Sequence, residues 1–201
     1  MEKLSIYVET LRHWQQTTNL IAPDTLPEIW HRHIADCAQL IRLAPHARTW
    51  VDLGSGAGLP GMILAILQGT QLGVHTYLIE SNKKKAAFLS DVKRRTGAPV
   101  EIVSHRIESP QARSRIASGK SVDIVTARAL APLGDLLAYA EPIMVSGAVG
   151  LFMKGRDVDT ELRDAQSRWQ FEYLCHASVS DHGGAIVEVR SLKSLQGRTS
   201  V

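Results

Sequence analysis

The sequence is poor in cysteine: its 201 residues hold only Cys37 and Cys175, far apart and outside any C-x-x-C pair. That leaves neither a disulfide framework nor a four-ligand zinc site. The eight histidines include no H-E-x-x-H pair, so no metal is expected. No apolar run approaches the roughly 20 residues that span a bilayer. The opening residues Met1-Glu2-Lys3-Leu4 lack the charged and then apolar layout of a secretory signal. The expectation is a cytoplasmic protein with no membrane contact. Repeats, low-complexity tracts and long linkers are absent as well. The net charge of +3, with a sequence pI near 9.0, falls short of the strong basicity of a dedicated nucleic-acid binder.

What is present is a soluble globular composition, 44% hydrophobic and 21% charged, in a chain long enough for one domain with a substantial core. Residues 3 to about 44 read as helical. Leu4, Tyr7, Leu11 and Trp14 follow the 3, 4 spacing of a buried stripe, and Pro23 and Pro27 separate that helix from a second over Glu28 to Leu43. From there strands and helices alternate. Strands are expected at Thr49–Leu53, His75–Glu80, Val100–Ser104, Val122–Thr126 and Ala148–Met153. Helices are expected at Pro60–Leu67, Lys83–Thr96, Leu133–Met144 and Asp157–Trp169. Two further strands, Phe171–Val179 and Ala185–Leu192, have only a short glycine connection, which suits an antiparallel hairpin at one sheet edge. The fold class is therefore α/β: a mostly parallel, seven-stranded, Rossmann-like sheet covered on both faces. Residues 1–45 are expected to pack as a helical segment on a core of residues 46–201, one structural domain overall. In such sheets ligands bind beyond the carboxyl ends of the strands.

The first such end reads Val51-Asp52-Leu53-Gly54-Ser55-Gly56-Ala57-Gly58. Glycines there allow a tight turn and close approach of a ligand to the backbone, and the amides of the next helix face the same crevice. The loop alone does not choose a cofactor, since Gly56, Gly58 and Gly61 also satisfy the dinucleotide pattern G-x-G-x-x-G. Asp52 tilts the choice. A carboxylate beside the loop would repel a pyrophosphate but suits the ammonium and sulfonium of S-adenosyl-L-methionine. It also suits a turn residue bonded to the loop amides. Glu80 ends the second strand, 22 residues after Gly58, where an acid can accept both ribose hydroxyls of an adenosine.

The methyl acceptor is narrowed by absence. Neither cysteine lies at a predicted strand end, as a cytosine-C5 methyltransferase would need. The fourth strand leads into Thr126-Ala127-Arg128-Ala129-Leu130-Ala131-Pro132, without the [N/D/S]-P-P-[Y/F] turn of exocyclic-amine methylation. Arg128 at that strand end stays protonated and is a poor base. It can fix a carboxylate, a phosphate or a guanine edge by paired hydrogen bonds, or simply neutralise a neighbour. An acceptor that needs no base fits, and guanine N7, a lone pair with no proton, is one. Lys83-Lys84-Lys85 and Lys93-Arg94-Arg95 share one predicted helix, with Arg106, Arg113 and Arg115 soon after. They suit either a solvated face or a phosphate-binding one.

At this point the chain resembles the bacterial small-subunit ribosomal RNA methyltransferase G family, also called glucose-inhibited division protein B. The resemblance rests on Trp14-x4-Asn19-Leu20, Arg32-His33-x2-Asp36, the run from Asp52 to Gly58 with its Leu59-Pro60-Gly61 extension, and Glu80-x3-Lys84-Lys85-x2-Phe88-Leu89. Arg106-Ile107-Glu108, Arg128-Ala129 and Lys154-Gly155 complete it, in the family's order over residues 10 to 155. It implies methyl transfer to guanine N7 of 16S rRNA, in a loop close to the decoding site, with the rRNA or the small ribosomal subunit as partner and the protein a monomer. It also places donor contacts on Gly54, Leu59, Ile107, Glu108 and Arg128. With Asp52, Gly56, Gly58 and Glu80 these form the expected cofactor site. Arg32, His33, Lys84, Arg106 and Lys154 are the RNA-binding candidates. No residue is assigned as catalytic acid or base; Arg128 is expected to position. Arg32 and Asp36 also suit a helix-surface ion pair, and His33 a core histidine. The chain departs from the family in a short leading segment, in Cys37 where serine is frequent, and in His182-Gly183-Gly184-Ala185, which lacks a basic residue that Arg190 or Arg198 would have to replace. The competing readings are a methyltransferase for a small molecule or protein, and a nucleotide-binding module without catalysis.

Overall fold

The computed structural model describes residues 1–69, 73–180 and 183–195. Helix α1, Glu2–Gln15, buries Leu4, Tyr7, Val8 and Leu11 as the 3, 4 spacing predicts. A 3-10 segment over Pro23–Glu28, a π-helical turn over Trp30–Ala35 and α2, Asp36–Leu43, replace the single second helix expected from Glu28. Pro27 lacks the N–H that an α-helical turn needs, so this stretch winds tightly first and then widely.

The core alternates as expected: β1 Thr49–Leu53, α3 Gly61–Gln68, β2 His75–Ile79, α4 Lys83–Thr96 and β3 Val100–Val103. Then come α5 Pro110–Ala117, β4 Ile124–Arg128, α6 Leu133–Met144, β5 Val149–Lys154, α7 Val158–Gln166, β6 Trp169–Ala177 and β7 Ala185–Ser194. Helix α5 was not anticipated. Its signal was there: Ser109 caps it by accepting from the Ala112 N–H at 3.1 Å, and Pro110 stands at its first position. Strand β4 begins two residues later than expected, which makes Arg128 its last residue.

The seven strands form one sheet in the order β3-β2-β1-β4-β5-β7-β6. The first five are parallel, and β7 is antiparallel to both β5 and β6. The edge hairpin is thus present, with its second strand inserted next to β5. Alternation along the strands divides the core. Val51, Leu53, Tyr77, Ile79 and Val125 join a cluster with residues of α5, α6 and α7. Leu78 and Val100 pack with α1, α3 and α4 on the other face, and Trp50, Ile124 and Leu151 pack there with Leu40 of α2. The rings of Tyr7 and Trp14 meet Phe88 of α4 edge-on, with centroids 6.2 Å apart in both cases. Tyr7 Oη donates to Ala57 O at 2.8 Å, so α1 is tied directly to the glycine loop. No helix among the described residues is long and apolar enough to cross a membrane.

Candidate functional site

Two cavities open at the carboxyl ends of the parallel strands. The first, about 300 Å³, lies over β1, β2 and β3 and is lined by Gly54, Gly56, Glu80, Lys85, Arg106, Ile107, Glu108, Ala129, Leu130 and Tyr139. Gly54 has φ +64°, and a Cβ there would lie 2.5 Å from the Leu130 side chain. Gly56 has φ +54° but faces open space, with only Gly54 O at 3.7 Å from a built Cβ. Its backbone is therefore bare toward the cavity, as a ligand in close contact requires. Glu80 is nearly buried, and each carboxylate oxygen accepts one backbone N–H: Gly56 at 2.8 Å and Asn82 at 2.7 Å. Each oxygen keeps a lone pair for a ligand. Asn82 in turn caps α4, accepting from Lys84 and Lys85 N–H. Glu108 is exposed beside Arg106, 3.2 Å away. Its own backbone N–H, and then Arg106, hold its carboxyl below the usual range.

Asp52 lies outside this lining. It is fully buried, with Oδ2 accepting from Gly61 N at 3.2 Å and Oδ1 from Thr126 Oγ1 at 3.0 Å. Burial pushes its carboxyl up to about 7, against the pull of these hydrogen bonds. It clamps β1, β4 and the start of α3 together, the loop-holding role that the sequence also allowed. Gly58 and Leu59 are likewise buried within the loop, Leu59 in the cluster under α1, α3 and α4.

The second cavity, also about 300 Å³, lies over β4 and β5 and is lined by Asp36, Arg128, Ala129, Lys154, Gly155, Glu161, Ser178 and Gly184. Arg128 Nη2 donates to Arg32 O at 3.0 Å and lies 3.5 Å from Asp36 Oδ2. Asp36 Oδ1 accepts from Gln39 Nε2, Ser178 Oγ and Ser180 Oγ at 2.8, 2.9 and 2.5 Å. Arg128 thus binds the end of β4 to the N-terminal helical segment. Lys154 is inside the protein, its side chain 7% exposed, with Nζ 2.6 Å from Glu161 Oε2 and 2.9 Å from Ala131 O. Ala129 lines both cavities and has φ +51°, a left-handed conformation that costs a residue with a Cβ on the order of 1 kcal/mol.

The remaining candidates divide by exposure. His33 is buried, with Nε2 2.8 Å from Thr25 Oγ1 and Nδ1 unpartnered among the described residues. Burial, followed by the nearby Arg128 charge, lowers its pKa to about 4, so it is neutral near pH 7. Arg32 and Lys84 are exposed. On the basic helix, Arg94 and Arg95 pair with Asp91, while the Lys83 and Lys84 ammonium groups form no ion pair among the described residues. Arg115 pairs with Glu101, and Arg190 with Glu188. His182 and Arg198 lie outside the described residues. A further, largely apolar groove of about 460 Å³ runs between α5 and α6 and shares Ile107 and Tyr139 with the first cavity. Its lining includes residues 119–122, which lead into the amino end of β4, opposite the carboxyl end that carries Arg128.

Sequence reasoning missed Ala129, Tyr139, Glu161 and Ser178. Ala129 stood only within the Arg128-Ala129 segment of the family resemblance, and its place after a strand end is the other signal. Glu161 and Ser178 reach the second cavity from α7 and from the turn after β6, and no local pattern marks them.

The family described as rRNA small subunit methyltransferase G matches residues 1–189. A protein of Methylorubrum populi named ribosomal RNA small subunit methyltransferase G is 50% identical over 191 residues, covering 95% of this chain and 88% of its own length. One of the same name from Rhodopseudomonas palustris (strain BisB5) is 44% identical, covering 93% of this chain and 78% of its own. Among solved structures, an O-methyltransferase from Bacillus cereus in complex with SAH aligns at a TM-score of 0.63 and 17% identity, over 92% of this chain and 90% of its own. The O-methyltransferase TomG of Streptomyces achromogenes, solved with SAM, aligns at 0.59 and 15% identity, over 94% and 90%. These two likenesses are of fold, that of the class I S-adenosylmethionine-dependent methyltransferases.

Proposed function

The chain belongs to the rRNA small subunit methyltransferase G family, and we propose that it transfers a methyl group from S-adenosylmethionine to N7 of a specific guanosine in 16S rRNA near the decoding site. The observation that carries this reading is the pair of cavities meeting at Ala129. The first fits the donor. Glu80 keeps a lone pair on each oxygen for the ribose hydroxyls, the bare backbone at Gly56 admits close contact, and Ile107 and Glu108 flank the place for the adenine. Asp52 supports the donor from beneath by fixing the loop. S-adenosylmethionine supplies an electrophilic methyl group on a sulfonium.

The second cavity takes the base. The N7 lone pair forms the new C–N bond, the C–S electron pair returns to sulfur, and no proton leaves. That chemistry asks the chain for alignment, which is worth roughly 7–11 kcal/mol, and for no general base. Accordingly the polar groups of the second cavity are held rigidly by one another. Arg128 acts by positioning, joining β4 to the segment that carries Arg32, His33 and Asp36. Exposed Lys84, with Arg32 and Arg106 nearer the cavities, supplies charge for RNA phosphates.

The protein is further proposed to act as a monomer in the cytoplasm, on the rRNA or the small subunit. Residues 1–45 would pack as a helical segment on a core of residues 46–201. The deciding assay uses tritiated S-adenosylmethionine and 16S rRNA, free or in small subunits, from cells lacking this modification. Label is expected at one guanine N7, with transfer weakening steeply as salt rises. Equal labelling of already modified rRNA would overturn the reading. Transfer to a small molecule or protein with little salt dependence would favour the alternative substrate class.

A further inference from the structure

We propose that Lys154 and Glu161 together read the O6 and N1–H edge of the methyl-accepting guanine, with Lys154 Nζ donating to O6 and Glu161 Oε1 accepting from N1–H. This rests on the reading of the second cavity as the base site.

The pair is built for such a role. Lys154 ends β5 and Glu161 lies in the first turn of α7, and both line the cavity that meets the proposed donor cavity at Ala129. The ammonium has three N–H groups. One goes to Glu161 Oε2 at 2.6 Å and one to Ala131 O at 2.9 Å, which leaves one. Glu161 Oε2 also accepts the Leu133 N–H at 2.6 Å, whereas Oε1 has no partner among the described residues. An unspent donor therefore stands beside an unspent acceptor, on side chains already locked by each other. Little further ordering is needed when a base arrives.

Guanine matches that order. Its O6 accepts and the adjacent N1–H donates. On adenine the same two positions carry a donor and an acceptor, and on cytosine likewise, so both oppose the pair. Uracil presents the guanine order but has no N7. The reaction itself excludes the commonest alternative. An arginine reading guanine usually binds O6 and N7 together. Here N7 must stay bare as the nucleophile, and Arg128 is already engaged with Arg32 O and Asp36. Contacts at O6 and N1 leave N7 uncovered on the far side of O6. Methylation also puts a positive charge on the base, and a carboxylate on N1–H opposes that charge as it develops.

The test uses small subunits reconstituted on 16S rRNA that carries guanosine, inosine or N1-methylguanosine at the labelled position. Inosine keeps O6 and N1–H and is expected to react within a few-fold of guanosine. N1-methylguanosine lacks the donor and is expected to lose on the order of 10- to 150-fold in kcat/KM, the worth of a hydrogen bond to a charged group. Glu161→Gln keeps an oxygen for Lys154 and Leu133 but turns an N–H toward the base. It should bind S-adenosylhomocysteine as the wild type does, lose about 10- to 150-fold on guanosine, and narrow the preference over N1-methylguanosine to a few-fold. A folding defect would lower both substrates together and leave their ratio intact. Equal wild-type rates on guanosine and N1-methylguanosine, or an unchanged ratio in a folded Glu161→Gln, would overturn the pair as base reader. Absence of label at N7 of guanosine itself would instead overturn the proposed function.

Discussion

The two cavities have the same volume, sit on the same edge of the sheet and share Ala129, yet they are assembled in opposite ways. The proposed donor cavity is made mostly by short stretches at the ends of three strands, the loop after β1, Glu80 after β2, and Arg106 to Glu108 after β3, closed by Ala129, Leu130 and Tyr139. Its polar groups are backbone amides and carboxylates that keep free valences. The acceptor cavity draws on residues 36, 128, 154, 161, 178 and 184, and most of its charges are already spent on one another. On the proposed reading, a cofactor common to many enzymes is held by a local loop, while selecting one base in a large RNA calls for groups fixed from several directions. The two regions also titrate oppositely. Asp52 under the donor loop keeps its proton up to about pH 7, whereas His33, in the segment walling the acceptor cavity, stays neutral down to about pH 4.

The sharpest way to break this contrast is Glu80→Ala. On the proposed reading it removes two charged acceptors for ribose hydroxyls, each worth about 1.5–3 kcal/mol, so affinity for S-adenosylhomocysteine should fall on the order of 10²- to 10⁴-fold in calorimetric titration. RNA affinity, read by filter binding, should stay within a few-fold. An equal loss of both would mean that the cavities do not divide the substrates. Next in size is Arg128→Ala, which leaves the Asp36 carboxylate nearly buried without its cation. Denaturant unfolding should show a loss of about 1–3 kcal/mol, and methyl transfer should fall further than donor binding does. Donor affinity lost as completely as in Glu80→Ala would move Arg128 to the other cavity.

The smallest effect is on pH dependence. An unfolded histidine takes a proton near pH 6.5, while folded His33 resists it to about pH 4. The unfolded state therefore binds more protons between those values, and stability is lost as pH falls through them. Asp52 has the opposite sign: its contribution is lost as pH rises from about 4 to about 7. His33→Gln should flatten the acid limb of a melting-temperature profile between pH 6.5 and 4. An unchanged limb would show that His33 is not held neutral by the fold.

Much of the first cavity's lining was legible because its determinants are contiguous. Gly54, Gly56 and Glu80 stand where strand-end reasoning put them, and helices α4 and α6 start and stop at the expected residues. The sequence was less clear about Asp52. Charge complementarity argued for contact with the donor, but burial directs its carboxylate to Gly61 and Thr126. Lys154 was an RNA-binding candidate by resemblance, but its burial depends on Glu161 and Ala131, which approach only when α7 and the turn after β4 have packed. Pro23 and Pro27 signalled a break in the N-terminal helices without showing that the chain would wind on as a π-helical turn.

By itself, then, the sequence determined the alternating architecture, the glycine loop and the acid that ends the second strand, together with the resemblance that names the family. Each of these resides in periodicity or in a run of neighbouring residues. Tertiary structure alone decided that Arg128 faces Asp36, that Lys154 faces Glu161, and that two cavities meet at a strained Ala129. Those contacts join positions up to 92 residues apart along the chain. Only the closing of the sheet and its helices brings them together, and no local pattern records which charge will meet which.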